Sequence, residues 1–412
     1  MIRDSSTDAE MVRPPPAPTC RLCGQTMTEP TLALGSIPIC NQFSRSPGPG
    51  TDIDLTIVEC DVCQLVQLGE VPPPHLLRPE VPWIRYREPE GHLDALVESL
   101  FSLRPDAQSA IGTGPFERPL LSRLAARGLV SHALELESGS AAGRYPYLET
   151  WQASLNEPHL VARAAQLGTF DIVSCRYIVE HTPEPVAALQ ALKRLLNPDG
   201  LLVVEVPDSS KFLAARDYCF LWEEHSCYFV EETFRRLAEL SGFRARALLR
   251  YPGVLEDALA LVLEAADAPV PASPARGPSR MFEAYRDDFT STREALRAKL
   301  AALAGPDRDR IALFGIGHHA IMFVNAFGLA DLIAVAVDDD ADKTGFFPPG
   351  FRTPVVGSQR LLDDERIRLC LFAIAPHIEG KVREKLAPLA ARGVEFRSIY
   401  AALDNSIMRD HA

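Results

Sequence analysis

Two C-x-x-C pairs, Cys20-Arg-Leu-Cys23 and Cys60-Asp-Val-Cys63, constrain this chain more than any other feature. Thiolates two residues apart can point at one centre when the backbone turns between them. Two such turns brought together form a four-sulfur tetrahedron suited to Zn²⁺. Residues 24 to 59 separate the pairs, a gap of 36. A closed four-cysteine site leaves no open coordination position, so the expected metal at Cys20, Cys23, Cys60 and Cys63 is structural. The chemistry must come from elsewhere in the chain.

The length, 412 residues, is enough for two to four domains. A net charge of −13 argues against nucleic acid as the main ligand, because phosphates need a basic surface. It leaves room for a small anionic substrate held by a few local cations. No apolar run approaches 18 residues, and residues 1 to 19 lack the basic-then-apolar order of a signal peptide. Nine cysteines that include a metal quartet fit a reducing cytoplasm better than a disulfide scaffold. The reading is a cytoplasmic protein with a small-molecule substrate, no nucleic acid and no membrane; its oligomeric state is not encoded legibly.

The expected organisation is a disordered tail over 1–18 and a zinc-binding module over 19–80. An α/β domain over 81–268, a linker and helix over 269–303 and a C-terminal α/β domain over 304–412 follow. In the second domain, candidate strands at 109–111, 132–136, 170–174 and 201–206 alternate with helical stretches at 119–127 and 185–196. Such alternation predicts βαβ units and a mostly parallel sheet. Asn197-Pro-Asp-Gly200 reads as a turn that launches the last of these strands. The final domain begins with Ile311-Ala-Leu-Phe-Gly-Ile-Gly317 and continues with strands at 332–337 and 368–374.

Four constellations could carry chemistry. Ala110-Ile-Gly-Thr-Gly-Pro115 follows a strand and precedes a helix, so Gly112, Thr113 and Gly114 could let the backbone approach a nucleoside cofactor. Glu135 or Glu137, at the end of the next strand, could bind ribose hydroxyls. The segment from Phe170 through Arg176 to His181 delivers polar residues to the same edge. Leu221-Trp-Glu-Glu-His-Ser-Cys-Tyr-Phe229 sets His225 beside Glu224 and among Trp222, Tyr228 and Phe229; a neighbouring carboxylate can orient an imidazole and raise its basicity. A satisfied structural histidine is the plainer reading of the same residues. Gly315-Ile-Gly-His-His-Ala320, with Asp338-Asp-Asp340 after the next strand, is similar to a dinucleotide fingerprint with Ala320 in place of the last glycine.

Taken together, these pieces resemble the three-domain, zinc-containing C-methyltransferases that modify deoxysugar nucleotides. The likeness lies in Cys20-Arg-Leu-Cys-Gly24, in Leu34-Gly-Ser-Ile-Pro-Ile-Cys-Asn-Gln-Phe43 and in Cys60-Asp-Val-Cys63. It continues in Glu205-Val-Pro-Asp208, in Glu224-His-Ser-Cys-Tyr-Phe229 and in Val337-Asp-Asp-Asp-Ala-Asp-Lys-Thr-Gly-Phe-Phe-Pro-Pro-Gly350. The resemblance implies a zinc module, a central class I S-adenosylmethionine (SAM) Rossmann-like domain and a C-terminal Rossmann-like domain. It implies SAM held by Gly112, Thr113, Gly114, Glu135 or Glu137 and Arg176. It also implies His225, placed by Glu224, as the base that removes a proton beside a ketone to give an enolate. Tyr86, Trp222 and Tyr228 become candidate contacts to a nucleotide-linked deoxysugar or related natural-product intermediate.

The chain departs from that pattern in its glycine turn. The acidic residue expected before Ile111-Gly112 is missing, and Pro115 and Phe116 fill the turn. Trp222 also stands where the sugar enzymes usually carry Tyr. An alternative reading follows: a SAM-fold protein whose cofactor site is degenerate and which has lost methyl transfer, catalysing another reaction or serving as a binding protein. A nicotinamide oxidoreductase working through the C-terminal domain is a third.

Overall fold

The computed structural model describes residues 18–27, 31–48, 50–77, 83, 88–134, 166–266 and 280–409. Three sheets organise these residues. Tyr86, Glu135, Glu137 and all but the last residue of the expected tail lie outside the described residues.

The first sheet is antiparallel, in the order β1 (Leu32–Pro38), β2 (Asp52–Glu59), β3 (Val66–Leu68), β8 (Cys227–Tyr228). Its two cysteine knuckles have the same build. Gly24 N donates to Cys20 O at 2.9 Å and Gln64 N to Cys60 O at 2.8 Å. The residues that close the turns, Gly24 and Gln64, take φ of 72° and 64°. Its last strand comes from the middle of the chain: Val66 pairs with Tyr228 and Gln67 with Cys227.

The central sheet runs β5 (Val130–Ala133), β4 (Ser109–Gly112), β6 (Phe170–Arg176), β7 (Leu196–Asp208), β10 (Asp257–Ala265), β9 (Phe243–Tyr251). The first four strands are parallel. β10 pairs antiparallel with both β7 and β9. The strand order reverses between β4 and β6, and the carboxyl ends of strands at such a switch point are where α/β sheets bind ligands. The hairpin β9–β10 is absent from the sequence expectations.

The turn expected at 197–200 lies inside a strand. Leu196 already pairs with Phe170, and the register then shifts before Ile172 meets Leu201. The intervening residues bulge out of the ladder, with Asp199 at φ 61°. A Cβ at Gly200 would stand 3.0 Å from the carbonyl oxygens of Asn197 and Phe170, so glycine lets the bulge fold tightly without ending the strand.

The third sheet is wholly parallel: β13 (Val355–Val356), β12 (Val335–Val337), β11 (Ile311–Phe314), β14 (Leu369–Phe372), β15 (Glu395–Ser398). Helices Arg280–Asp287 and Phe289–Ala304 lead into it. Tyr218 and Phe289 stack edge-on with centroids 4.9 Å apart, and Tyr218 Oη donates to Tyr285 O at 2.7 Å, so those helices also grip the central domain. Ser44 and Phe347 exchange backbone hydrogen bonds of 3.0 and 2.7 Å, and Trp83 packs on Phe43 and Phe346. All three units therefore meet. No helix among the described residues is long and apolar enough to cross a membrane.

Candidate functional site

The four thiols converge. Cys20 and Cys63 sulfurs are 3.3 Å apart, Cys23 and Cys60 sulfurs 3.5 Å, and all four lie within 4.8 Å of one another. A zinc ion bonded to four sulfurs at about 2.3 Å needs S···S edges of about 3.8 Å, so a small outward adjustment seats the metal. Gln67, fully buried, fastens the first knuckle to β3: its Oε1 accepts from Arg21 N at 2.9 Å and its Nε2 donates to Thr19 O at 3.0 Å.

At the switch point of the central sheet, Gly112 ends β4 and the turn folds back on itself. Thr113 N and Oγ1 both donate to Ser174 O, at 2.8 and 2.7 Å. Glu117 lies across the glycines: a Cβ on Gly112 would stand 2.4 Å from Glu117 Cβ. Its carboxyl accepts from Ser174 Oγ and from Arg176 N, each at 2.6 Å. Gly112 is thus required by the packing of Glu117. Arg176 is fully buried and committed: Nε reaches Glu205 at 2.8 Å, Nη1 Phe116 O at 2.8 Å and Nη2 Pro89 O at 2.9 Å. His92 Nε2 stands 2.8 Å from the other oxygen of Glu205. Glu205 stays below the ordinary carboxylate range: burial opposes this, but His92 and Arg176 together outweigh it.

Acid exceeds base at this edge. Glu117 and Glu180 are buried, and half-buried Glu88 and Glu256 stand close by. Burial pushes Glu117 up to about 7, against the pull of Arg176 and its hydrogen bonds. A carboxyl that holds its proton more tightly folded than unfolded makes stability fall as pH rises, here between about 4.5 and 7. The difference corresponds to roughly 3 kcal/mol above that window. Glu117→Gln keeps an acceptor for Arg176 N and supplies a donor to Ser174 Oγ. Denaturant melts of the unliganded protein should therefore show the variant more stable than wild type at pH 8, with the two converging near pH 5. Parallel pH profiles for the two proteins would refute the assignment.

The second constellation sits where the three units meet. β8 begins two residues after His225, and the first module holds the segment: Leu68 N donates to Ser226 O at 3.1 Å and Cys40 N to Glu223 Oε1 at 2.6 Å. The 3₁₀ turn Val179–His181 after β6 brings the ring of His181 to 4.5 Å from that of His225, at 89°. From the third sheet, the helix His318–Ala326 stacks His318 on Trp222 with centroids 4.5 Å apart. His319 Nδ1 lies 2.9 Å from Tyr400 Oη. Four histidines and Trp222 are thus gathered from distant parts of the chain. His225 is partly exposed, whereas His181 and Trp222 are buried.

Glu224 acts here through its main chain: its carbonyl oxygen lies 3.0 Å from His181 Nδ1. His225 does not gain the raised basicity expected from its acidic neighbour. Burial, then His181, His318 and His319, lower its pKa well below the usual imidazole value. His181 is pushed down to about 3, chiefly by burial. Tyr228 is buried, and its hydroxyl is bound to the main chain of Trp222, accepting from N at 2.8 Å and donating to O at 3.1 Å. It braces the loop. The glycine turn, Thr113 and Arg176 are brought together at one edge; His225, Trp222, Tyr228 and the backbone of Glu224 are brought together at the junction. Sequence reasoning treated His318 and His319 only as part of a dinucleotide-like turn. Asp338, the acid of that fingerprint, is occupied by Ile316 N at 3.0 Å and Lys343 Nζ at 2.9 Å.

Known proteins match the chain in three blocks. The family described as "Putative zinc binding domain" matches residues 20–77, "Methyltransferase domain" residues 97–248, and "C-methyltransferase C-terminal domain" residues 277–399. C-methyltransferase NovU of Streptomyces niveus is 24% identical over 259 residues, covering 56% of this chain and 56% of that protein. Ubiquinone biosynthesis O-methyltransferase of Psychrobacter cryohalolentis is 26% identical over 127 residues, covering 30% of this chain and 49% of that one. The chain spans about half the length of NovU and less of the other curated relatives. Among solved structures, Burkholderia thailandensis 1,6-didemethyltoxoflavin-N1-methyltransferase with bound 1,6-didemethyltoxoflavin and S-adenosylhomocysteine superposes with TM-score 0.31 at 14% identity. That match covers 43% of this chain and 80% of that one.

Proposed function

We propose that this chain, which matches a zinc-binding, a methyltransferase and a C-methyltransferase C-terminal family in three successive blocks, methylates a carbon of a small acceptor bound at the three-module junction. One observation carries the reading: His225 is partly exposed, kept neutral by its surroundings, and set by β8 where all three modules meet. S-adenosylmethionine, when bound, supplies a methyl group on a sulfonium centre. The acidic edge at the ends of β4, β6 and β7 fits a ligand carrying sulfonium and ammonium charges. Gly112, Thr113 and Gly114, with Glu135 or Glu137, would hold the cofactor, and Arg176 would keep the edge in shape.

Neutral His225 takes the proton from the acceptor carbon, which a neighbouring ketone makes acidic, and the resulting enolate carbon is the nucleophile. His181, oriented by Glu224 O, fixes the approach of that imidazole. His318, partly exposed and backed by the stacked ring of buried Trp222, offers a flat face to the acceptor. The acceptor class supported best is a nucleotide-linked deoxysugar or related natural-product intermediate, on the likeness to NovU and on the family motifs around His225. Cys20, Cys23, Cys60 and Cys63 hold zinc as a structural ion.

Glu117 packed across Gly112 favours a second reading, a cofactor site closed by its own side chains. Titration calorimetry with S-adenosylmethionine separates the two. Saturable heat at one site per chain is expected; no heat at millimolar ligand would leave the second reading standing.

A further inference from the structure

We propose that Glu180, His181 and His225 bind a divalent transition-metal ion at the module junction, distinct from the ion of the four cysteines. The donor atoms of these three side chains all lie within 4.8 Å of one another. Three ligands so placed can close on one ion at bonds of about 2.0–2.2 Å after small side-chain movements. Two of them are adjacent on the turn after β6; the third arrives on the segment that the zinc module anchors.

The orientation of His181 suits a ligand. A carbonyl can only accept, so the 3.0 Å contact with Glu224 O requires the proton on Nδ1 and leaves the lone pair on Nε2. Metal-bound histidines are commonly fixed in this way, the far nitrogen donating to a carbonyl or carboxylate. Glu180 supplies an independent indication. It is 2% exposed, and its Oε2 has no hydrogen-bond partner among the described residues. A buried carboxylate oxygen without a partner is unfavourable, and a cation relieves it. Two imidazoles and one carboxylate form a nitrogen–oxygen set with coordination positions left open, suited to Zn²⁺, Co²⁺ or Fe²⁺ rather than to Ca²⁺. Partly exposed His225 gives the ion a path in.

The site goes beyond the proposed methyl transfer and does not depend on it. A neutral imidazole has one lone pair, so ion and proton compete for His225. Loading this site should suppress any reaction that uses His225 as a base, while S-adenosylmethionine binding is unaffected.

The test uses the full chain reconstituted with Co²⁺, dialysed, and counted by plasma emission, without substrate. Two ions per chain are expected for the wild type and one for the double variant Glu180→Gln, His181→Gln. The cobalt–thiolate charge-transfer band should persist in both, which also reports that the zinc module is folded. The visible ligand-field bands contributed by the nitrogen–oxygen site should vanish in the variant. One ion per chain in the wild type, or two in a variant with an intact thiolate band, would overturn the proposal. Methyl transfer by protein stripped of the second ion reads His225 separately, so the two ideas can fail independently.

Discussion

His225→Ala is expected to lower methyl transfer by about 10²- to 10⁴-fold, the usual range for removing a positioned general base. The fold should survive. The His225 side chain is partly exposed, and the segment is held through the backbone of Ser226 and the pairing of Cys227 with Gln67. S-adenosylmethionine affinity should stay unchanged, because the glycine turn ends a different sheet. The loss belongs in kcat under saturating acceptor. A pH profile provides a check that mere structural damage would not reproduce. The reactive form is the neutral imidazole, so kcat/KM falls as pH drops through its pKa. Burial and the three neighbouring histidines lower that pKa, so the acid limb should lie below the ordinary 6.5 of histidine. An acid limb above 6.5, or a variant with full activity, would remove His225 from the mechanism.

The parts of this architecture that are local were legible in the sequence. A C-x-x-C knuckle is specified by four neighbours and a turn, so both halves of the metal site could be read directly, and their meeting followed from coordination chemistry. Strands β4 and β6 announce themselves as apolar runs before polar turns. Other features depend on partners far away in the chain. β8 is only two residues long and is a strand solely because β3 lies beside it. The hairpin β9–β10 was missed because β9 alternates arginine with small and apolar residues on a half-covered edge, as Arg244-Ala-Arg246 illustrates. Pro115 and Phe116 were read as departures from a motif, and only packing shows the next residue, Glu117, lying over Gly112. The histidine cluster was the least legible part: His181, His225 and His318 come from three separate segments, and nothing local pairs them. The carboxylate of Glu224 was expected to raise the basicity of His225, but burial among other imidazoles has the opposite and larger effect.

That dependence on distant partners makes the zinc site the most consequential element for activity. Removing the ion by chelation, or weakening it with Cys63→Ser, is expected to abolish methyl transfer while sparing cofactor binding. Structural zinc in small domains contributes about 10–16 kcal/mol of apparent binding free energy, and a module of this size has too little core to fold well without it. The damage then spreads along a definite path. Loss of the knuckle at Cys20 and Cys23 frees Thr19 and Arg21, which hold Gln67. Gln67 is the ladder partner of Cys227, and Leu68 N holds Ser226 O. Without β3, the segment that carries His225 loses its sheet. The buried Glu223 carboxyl also loses its bond from Cys40 N. The central sheet shares no strand with this assembly, so titration calorimetry with S-adenosylmethionine should give the same heat before and after chelation. Calorimetric unfolding should split, with an early transition appearing only in the metal-free protein. Zinc readdition held to one equivalent per chain, enough for the thiolate site alone, should restore activity to the chelated wild type far more fully than to Cys63→Ser. Undiminished turnover by zinc-free protein would show that β8 holds its place unaided, and that the first module does not position His225.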